Sequence, residues 1–221
     1  VCETFELLRL VRMLKKYFEV YLEDVKEIEV FEELFEFFVK LKSLLSDTKH
    51  SQDRRLYWDE SNNIKEEYRE KTRFGISGNM ACISREEIIE FLDLCSEKLS
   101  KAKEKAFDSK KGLFYTYFIN QPVEYEYDAQ AQEIKIKKFL QKKVAFFLES
   151  QVRAMKVIDD KEMKRKIYQS VRESSLFDRK LRMYKTNESL ANETNQLGRI
   201  KAFTPGWLEN ESIFMHMEYK Y

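Results

Sequence analysis

Residues 84–99 have the sequence S-R-E-E-I-I-E-F-L-D-L-C-S-E-K-L, the pattern of a helix that packs one face against a core. Ser84 and Glu87 are spaced as a capping box, in which each side chain binds the backbone N–H of the other residue. Apolar residues then recur at helical spacing: Ile88, Phe91, Leu92, Cys95 and Leu99. This stretch therefore predicts an amphipathic helix with a defined start.

The same spacing occurs along most of the chain. One run near the N-terminus contains Phe5, Leu8, Val11, Leu14, Tyr17, Phe18 and Tyr21. A second run contains Ile28, Phe31, Leu34, Phe35, Phe38, Leu41 and Leu45. Shorter helices are predicted at 65–72, 144–157 and 161–173, the last with Asp160 as its N-cap. Because the chain has only 5 glycines and 2 prolines in 221 residues, turns are scarce, and we predict a mainly α fold.

A small β-hairpin is predicted between the helices. Segments 113–118 and 123–127 are rich in β-branched and aromatic residues, and a turn is expected around 128–132. Apolar side chains alternate here with charged ones: Val123, Tyr125, Tyr127, Ile134 and Ile136. Glu124 and Glu126 therefore share one strand face, which could serve acid–base chemistry. We favour a solvated face opposite a Val/Tyr core face.

Composition excludes several classes of protein. The 40 Lys and Arg nearly balance the 39 Asp and Glu, so the net charge of +1 predicts neither nucleic-acid nor membrane-surface binding. The longest uncharged stretches, 74–84 and 113–123, are too short for a membrane helix, which needs about 20 apolar residues. Three cysteines without a C-x-x-C pair predict reduced, mostly buried thiols in a cytoplasmic protein: Cys2, Cys82 and Cys95. No metal or organic cofactor is predicted.

The remaining segments are polar or lack periodicity. Residues 46–63, which include His50, predict a loop with at most one turn of helix, and 174–207 predict a long irregular segment that is either functional or disordered. Residues 213–221 have the pattern of a helix cut off within its repeat, and the chain has no initiator Met. We therefore expect a single domain over 1–221 that is an internal piece of a longer protein, truncated at both ends.

Residues 198–216 carry the most specific signal: G-R-I-K-A-F-T-P-G-W-L-E-N-E-S-I-F-M-H. The Pro-Gly pair predicts a turn that presents Trp207, Glu209 and Asn210 just before a helix that begins near 210–212. Trp207 could stack on a sugar ring, Glu209 could accept hydrogen bonds from hydroxyls, and His216 could donate to a phosphate. Each residue also has a structural alternative. Trp207 could fill space in the core, Glu209 could interact with the helix dipole, and His216 could be a buried imidazole.

Taken together, these residues resemble a known family. The stretch is similar to the G-R-I…P-P-G-[VI]-K-E-N-G-G-[IV]-[FY]-x-H segment of cellobiose and chitobiose phosphorylases. Residues 203–221 more closely resemble F-T-P-G-W-L-E-N-E-S…H-M-E-Y-K-Y of large cellobiose phosphorylase-like proteins. Further similarity lies in Y-R-E-K-T-R-F-G-I-S-G at 68–78, in 112–118 with 124–126, and in L-F-D-R-K-L-R-M-Y-K at 176–185.

The resemblance implies part of an (α/α)6 toroid and an inverting reaction, in which phosphate attacks the anomeric carbon while an Asp protonates the leaving oxygen. In the family that Asp precedes a G-E-S-x-x-L helix, whose start corresponds to residues 2–7 here. The general acid would therefore lie upstream of Val1, and this chain contains no predicted catalytic residue.

Carried over by motif position, Trp207, Glu209 and Asn210 are the predicted sugar-binding residues, and His216 is the predicted phosphate ligand. The chain departs from the family where Gly-Gly becomes Glu211-Ser212. An added carboxylate near an anion site lowers phosphate affinity, so hydrolysis or no catalysis stays open.

Two functions follow as expectations. The first is a fragment of an inverting glycoside phosphorylase-like enzyme that uses β-linked gluco-oligosaccharides and inorganic phosphate, and that is inactive as this piece alone. The second is a non-catalytic helical scaffold for carbohydrate binding or interaction. In either case a partial toroid leaves apolar faces without partners, so we expect the chain to self-associate or to melt at low temperature.

Overall fold

The computed structural model describes residues 1–47 and 54–221. Contacts group these residues into two compact units, Leu7–Lys101 and a second unit formed by Val1–Glu6 with Ala102–Tyr221. Part of the loop predicted at 46–63, including His50, lies outside the described residues. Over 54–63 the prediction is wrong, because these residues belong to a helix much longer than the single turn expected.

The elements up to residue 106 are mostly helical. In chain order they are α1 (Cys2–Val20), β1 (Glu27–Phe31), α2 (Glu32–Ser46), α3 (Arg54–Thr72), β2 (Met80–Ser84) and α4 (Arg85–Ala106). Strands β1 and β2 pair antiparallel, with Glu27 opposite Ser84 and Phe31 opposite Met80. The capping box is confirmed: the Ser84 backbone N–H donates to Glu87 at 3.1 Å, and the Glu87 N–H donates to the Ser84 hydroxyl at 3.3 Å.

The second predicted helix is only partly correct. Ile28 and Phe31 belong to β1, and α2 begins at Glu32. The sequence E-I-E-V-F alternates with period two, and its partner strand β2 lies about 50 residues further along the chain. Within this unit α2 packs on α3, where the rings of Phe37 and Tyr68 lie 4.8 Å apart.

The second unit combines strands with short helices. Its elements are β3 (Phe107–Asp108), β4 (Leu113–Phe114), β5 (Phe118–Asp128), β6 (Glu133–Lys143), α5 (Leu148–Val157), α6 (Lys161–Glu173), β7 (Phe177–Asp178), β8 (Met183–Tyr184), a 3-10 turn (Asn195–Leu197), α7 (Arg199–Ala202) and α8 (Met215–Lys220). Its core includes Phe5, Leu113, Phe114, Leu148, Ile167 and Leu176. The predicted N-cap is confirmed, since Asp160 accepts from the Glu162 N–H at 2.9 Å.

The predicted hairpin is confirmed as β5 and β6, which pair from Phe118 opposite Lys143 to Asp128 opposite Glu133. The predicted Val/Tyr core face is wrong, because Tyr125 and Tyr127 are both 62% exposed. Glu126 pairs with Lys137, as a solvated charged face does. Both faces of this two-stranded ribbon are therefore open, and alternation alone could not distinguish this arrangement from a half-buried strand.

Two short hairpins repeat one local structure. Residues 107–116 (F-D-S-K-K-G-L-F-Y-T) form β3–β4, and 177–186 (F-D-R-K-L-R-M-Y-K-T) form β7–β8. Asp108 accepts from the two backbone N–H groups of Lys110 and Lys111 at 3.0 and 3.1 Å. Asp178 accepts in the same way from Lys180 and Leu181 at 2.9 Å each. Both turns end in a left-handed residue, which is Gly112 in the first and Arg182 in the second.

A side chain from a later helix also holds each of these hairpins. The Phe114 N–H donates to Gln151 Oε1 at 2.9 Å, and the Tyr184 N–H donates to the Glu218 carboxylate. Gln151 and Glu218 are the fourth residues of α5 and α8, respectively. The same pattern therefore occurs twice in the chain: a helix is followed by an Asp-capped hairpin, and a later helix binds that hairpin. None of the helices in 1–47 and 54–221 is long and apolar enough to cross a bilayer.

Candidate functional site

Residues 203–212 fold into a tight turn, which we call the Trp207 turn. The Trp207 N–H donates to the Thr204 carbonyl at 2.9 Å, and the Gly206 N–H donates to the Asn210 carbonyl at 2.7 Å. The Asn210 N–H in turn donates to the Trp207 carbonyl at 3.1 Å. These bonds bring the three predicted sugar-binding residues into one local structure.

The buried side-chain amides of Asn187 and Asn210 hold the Trp207 turn in place. Asn210 donates through Nδ2 to the Phe203 carbonyl at 2.7 Å, and its Oδ1 accepts from Asn187 at 3.3 Å. Asn187 is fully buried, and its Oδ1 also accepts from the Glu211 N–H at 3.0 Å. Asn210 is therefore a structural support of the turn, and its side chain is not presented to solvent.

The carboxylates of the turn are both in ion pairs. Glu209 pairs with Arg199 at 3.0 Å, and Glu211 pairs with Lys185 at 3.0 Å with both side chains largely shielded. The other carboxylate oxygen of Glu209, Oε2, is buried and has no hydrogen-bond partner among the described residues. A buried oxygen with free lone pairs is uncommon in proteins, and a ligand hydroxyl that displaces the groups covering it would satisfy it.

Trp207 presents its indole to solvent. Trp207 is 59% exposed, and its ring makes an edge contact with the ring of Phe203 at a centroid distance of 5.6 Å. This position contradicts the alternative in which Trp207 plugs the core. An exposed indole supported at one edge offers an apolar face and an N–H donor to a flat ligand such as a sugar ring.

The backbone of the turn is strained at two residues. Leu208 and Glu211 have φ of 48° and 52°, in the left-handed region that side chains larger than glycine rarely occupy. Each such residue costs on the order of 1–3 kcal/mol, and strain of this kind concentrates at functional sites. The packed network of Asn187 and Asn210 supplies the contacts that keep the turn in this conformation.

His216 lies apart from the local bonds of the turn. The helix predicted to begin near 210–212 begins at Met215, so Glu209 and Asn210 do not lie at its first turn. The ring of His216 is exposed and lies 5.6 Å from that of Phe214. The buried-imidazole alternative is therefore wrong, and the side chain is free to meet an anion from solvent.

Other candidate chemistry is weaker. Within 1–47 and 54–221, no group of three His, Cys, Asp or Glu residues could hold a metal ion. Burial raises the pKa of Cys2 and of Cys95 to about 11, so neither thiol supplies a thiolate near neutral pH. The three thiols were predicted to be mostly buried, but only Cys2 is buried, while Cys95 is half-buried and Cys82 is exposed.

The comparisons with known proteins give no family. No protein-family model matches the chain, and the search of curated proteins found no match.

Three residues of the site were missed in the sequence. Asn187 supports the turn from below, while Lys185 and Arg199 neutralise its carboxylates. Asn187 and Lys185 lie more than twenty residues before Glu211 and Asn210, in a segment without periodicity. The Thr186-Asn187 pair directly after the K-L-R-M-Y-K segment was the available signal, since buried amides in loops usually bind backbone groups.

Proposed function

We propose that this chain forms part of the catalytic (α/α)6 toroid of an inverting glycoside phosphorylase-like protein. The protein acts on β-linked gluco-oligosaccharides with phosphate and is cytoplasmic. In this proposal the Trp207 turn binds the sugar, His216 binds the phosphate, and the general acid is an Asp that this chain does not supply. The three free cysteines support a reducing compartment.

The observation that carries the proposal is the pairing of an exposed indole with an unsatisfied carboxylate. Trp207 and Glu209 are two residues apart in one strained turn, and Glu209 Oε2 has no partner among the described residues. Sugar rings bind through their apolar C–H faces and through their hydroxyl donors. The turn offers an aromatic ring for the first and a charged acceptor for the second, where a charge-assisted bond contributes about 1.5–3 kcal/mol.

Two exposed side chains that can donate hydrogen bonds to an anion support phosphate binding. His216 is exposed, and the guanidinium of Arg199 is largely exposed while it pairs with Glu209. Glu211 is paired with Lys185, so its charge is partly neutralised. The added carboxylate therefore repels an anion less than the sequence alone indicates.

A non-catalytic carbohydrate-binding scaffold is the second candidate. The observation in its favour is that both carboxylates of the turn form ion pairs, with Arg199 and with Lys185. An ion-paired carboxylate is held in place by its partner and accepts hydrogen bonds from ligand hydroxyls. This arrangement suits binding.

Tryptophan fluorescence tests the sugar site. The chain has two tryptophans, Trp58 and Trp207, and both are 59% exposed. In a Trp58→Phe variant only Trp207 emits, so titration with cellobiose and longer β-linked gluco-oligosaccharides is expected to quench and blue-shift the emission. The matched Trp207→Phe variant, in which only Trp58 emits, is expected to show no change. Equal responses in the two variants, or none in either, would contradict the sugar site.

A further inference from the structure

Helix α1 has two apolar faces. Leu8 and Val11 are buried on one face. On another face, five residues follow each other at intervals of three and four, and we call them the α1 stripe: Leu7, Leu10, Leu14, Tyr17 and Tyr21. A helix that is apolar over most of its circumference is normally covered on both sides.

The stripe continues past the end of the helix without a break. The Tyr21 N–H still donates to the Tyr17 carbonyl at 2.9 Å, and the two tyrosine rings lie 5.7 Å apart. Met13 and Val20 widen the stripe along one border. Charged residues lie on a separate face, including Arg9, Arg12 and Lys16.

The exposed apolar area is large enough for a specific contact. The exposed fractions of Leu7, Leu10, Met13, Tyr17, Val20 and Tyr21 run from 43% to 69%. With about 150–250 Å² for each aromatic side chain and less for the others, these six residues present roughly 600 Å². Two such faces would bury about 1,200 Å², which is the lower limit of a stable protein–protein interface.

We propose that the α1 stripe is the contact between two copies of this chain, packed with their α1 helices antiparallel. The three-and-four spacing is that of the a and d positions of a helix pair, and a single stripe used by both copies gives a closed twofold contact. This inference does not depend on the proposed function.

The order of residue sizes and the direction of the helix dipole select the antiparallel arrangement. Leucines occupy the first half of the stripe and tyrosines the second, so antiparallel packing places Leu10 against Tyr21 of the other copy. A parallel arrangement would stack tyrosine on tyrosine and leucine on leucine. Antiparallel packing also places the partly positive N-terminus of one α1 helix beside the partly negative C-terminus of the other.

Analytical ultracentrifugation over a wide concentration range tests the proposal. We expect the unmodified chain to form a reversible dimer. Leu10→Glu and Tyr21→Lys are both expected to weaken dimerisation by about tenfold or more, because each places an unpaired charge in an apolar contact. Lys16→Glu, on the charged face of the same helix, is the control and is expected to dimerise like the parent.

Mixing the two charged variants tests the orientation. In an antiparallel pair Glu at position 10 meets Lys at position 21 of the other copy, so the mixture is expected to dimerise better than either variant alone. Both positions are well exposed, and circular dichroism verifies that each variant is folded. A monomeric parent, dimers that survive either substitution, or a mixture that stays monomeric would each overturn the proposal. A monomeric parent would mean that another helix covers the stripe.

Discussion

At the scale of single residues, the Lys185–Glu211 ion pair is the feature that bears most on phosphate binding. Its two groups lie 3.0 Å apart and are mostly shielded from solvent, so each charge is balanced by the other. Removing one partner of a shielded pair leaves the remaining charge without compensation. Loss of Glu211 would therefore leave an ammonium group close to the Trp207 turn.

Glu211→Gly is expected to strengthen phosphate binding. The substitution removes a like charge, leaves Lys185 available to the anion, and places glycine where φ is 52°, so the turn loses strain. His216→Ala is expected to weaken phosphate binding about ten- to hundredfold, which corresponds to about 1.5–3 kcal/mol. Isothermal calorimetry with inorganic phosphate measures both effects.

The control for this experiment is Glu211→Gly combined with Lys185→Met. If Lys185 supplies the new attraction, the double variant loses most of the gain. Phosphate affinities that are unchanged by Glu211→Gly and by His216→Ala, at equal folded content, would remove the phosphate site from the proposed function.

At the scale of elements, the parts of the fold encoded by neighbouring residues could be predicted and the parts made by distant residues could not. The caps at Ser84 and Asp160 depend on groups two or three residues away, and both were predicted. Strand β1 depends on β2, about fifty residues later, and was missed. The same holds at the site, where the turn at Trp207 was predicted locally but the buried Asn187 below it was not.

The repeated hairpins show how a following helix fixes a short strand pair. Gln151 binds both backbone groups of Phe114, accepting from its N–H at 2.9 Å and donating to its carbonyl at 2.7 Å. These strands have two residues each, so their own pairing is too short to be stable alone. The side chain of the next helix therefore contributes much of the order in this hairpin.

Gln151→Met is expected to destabilise the protein by about 2–4 kcal/mol, because it leaves a buried N–H and a buried carbonyl without partners. Gln141→Met is the control, since Gln141 is exposed and bonds only to Asn120 in the described structure, and it is expected to change stability by less than about 0.5 kcal/mol. Urea unfolding followed by circular dichroism compares the two. Equal effects of the two substitutions would show that the Gln151 bonds are not important.

At the scale of the whole molecule, the two units of helix, Asp-capped hairpin and helix indicate an architecture built by repetition. Residues 107–116 and 177–186 share F-D at their start and Thr at their end, and each hairpin is bound by the fourth residue of a later helix. Repeated helix pairs bury their apolar faces against neighbouring pairs. The proposed toroid is a closed array of such pairs.

The proposed function predicts that this chain binds β-linked gluco-oligosaccharides without converting them. An inverting reaction requires a proton donor and a nucleophile on opposite sides of the glycosidic bond. Near the Trp207 turn, Glu209 and Glu211 are both held in ion pairs, and the proposed general acid is an Asp that this chain does not supply. Cellobiose with phosphate is therefore expected to yield no glucose 1-phosphate, and glucose 1-phosphate with glucose no disaccharide, relative to a heat-denatured sample. Turnover in either direction that disappears in Glu209→Gln would instead identify Glu209 as the acid and place catalysis within this chain.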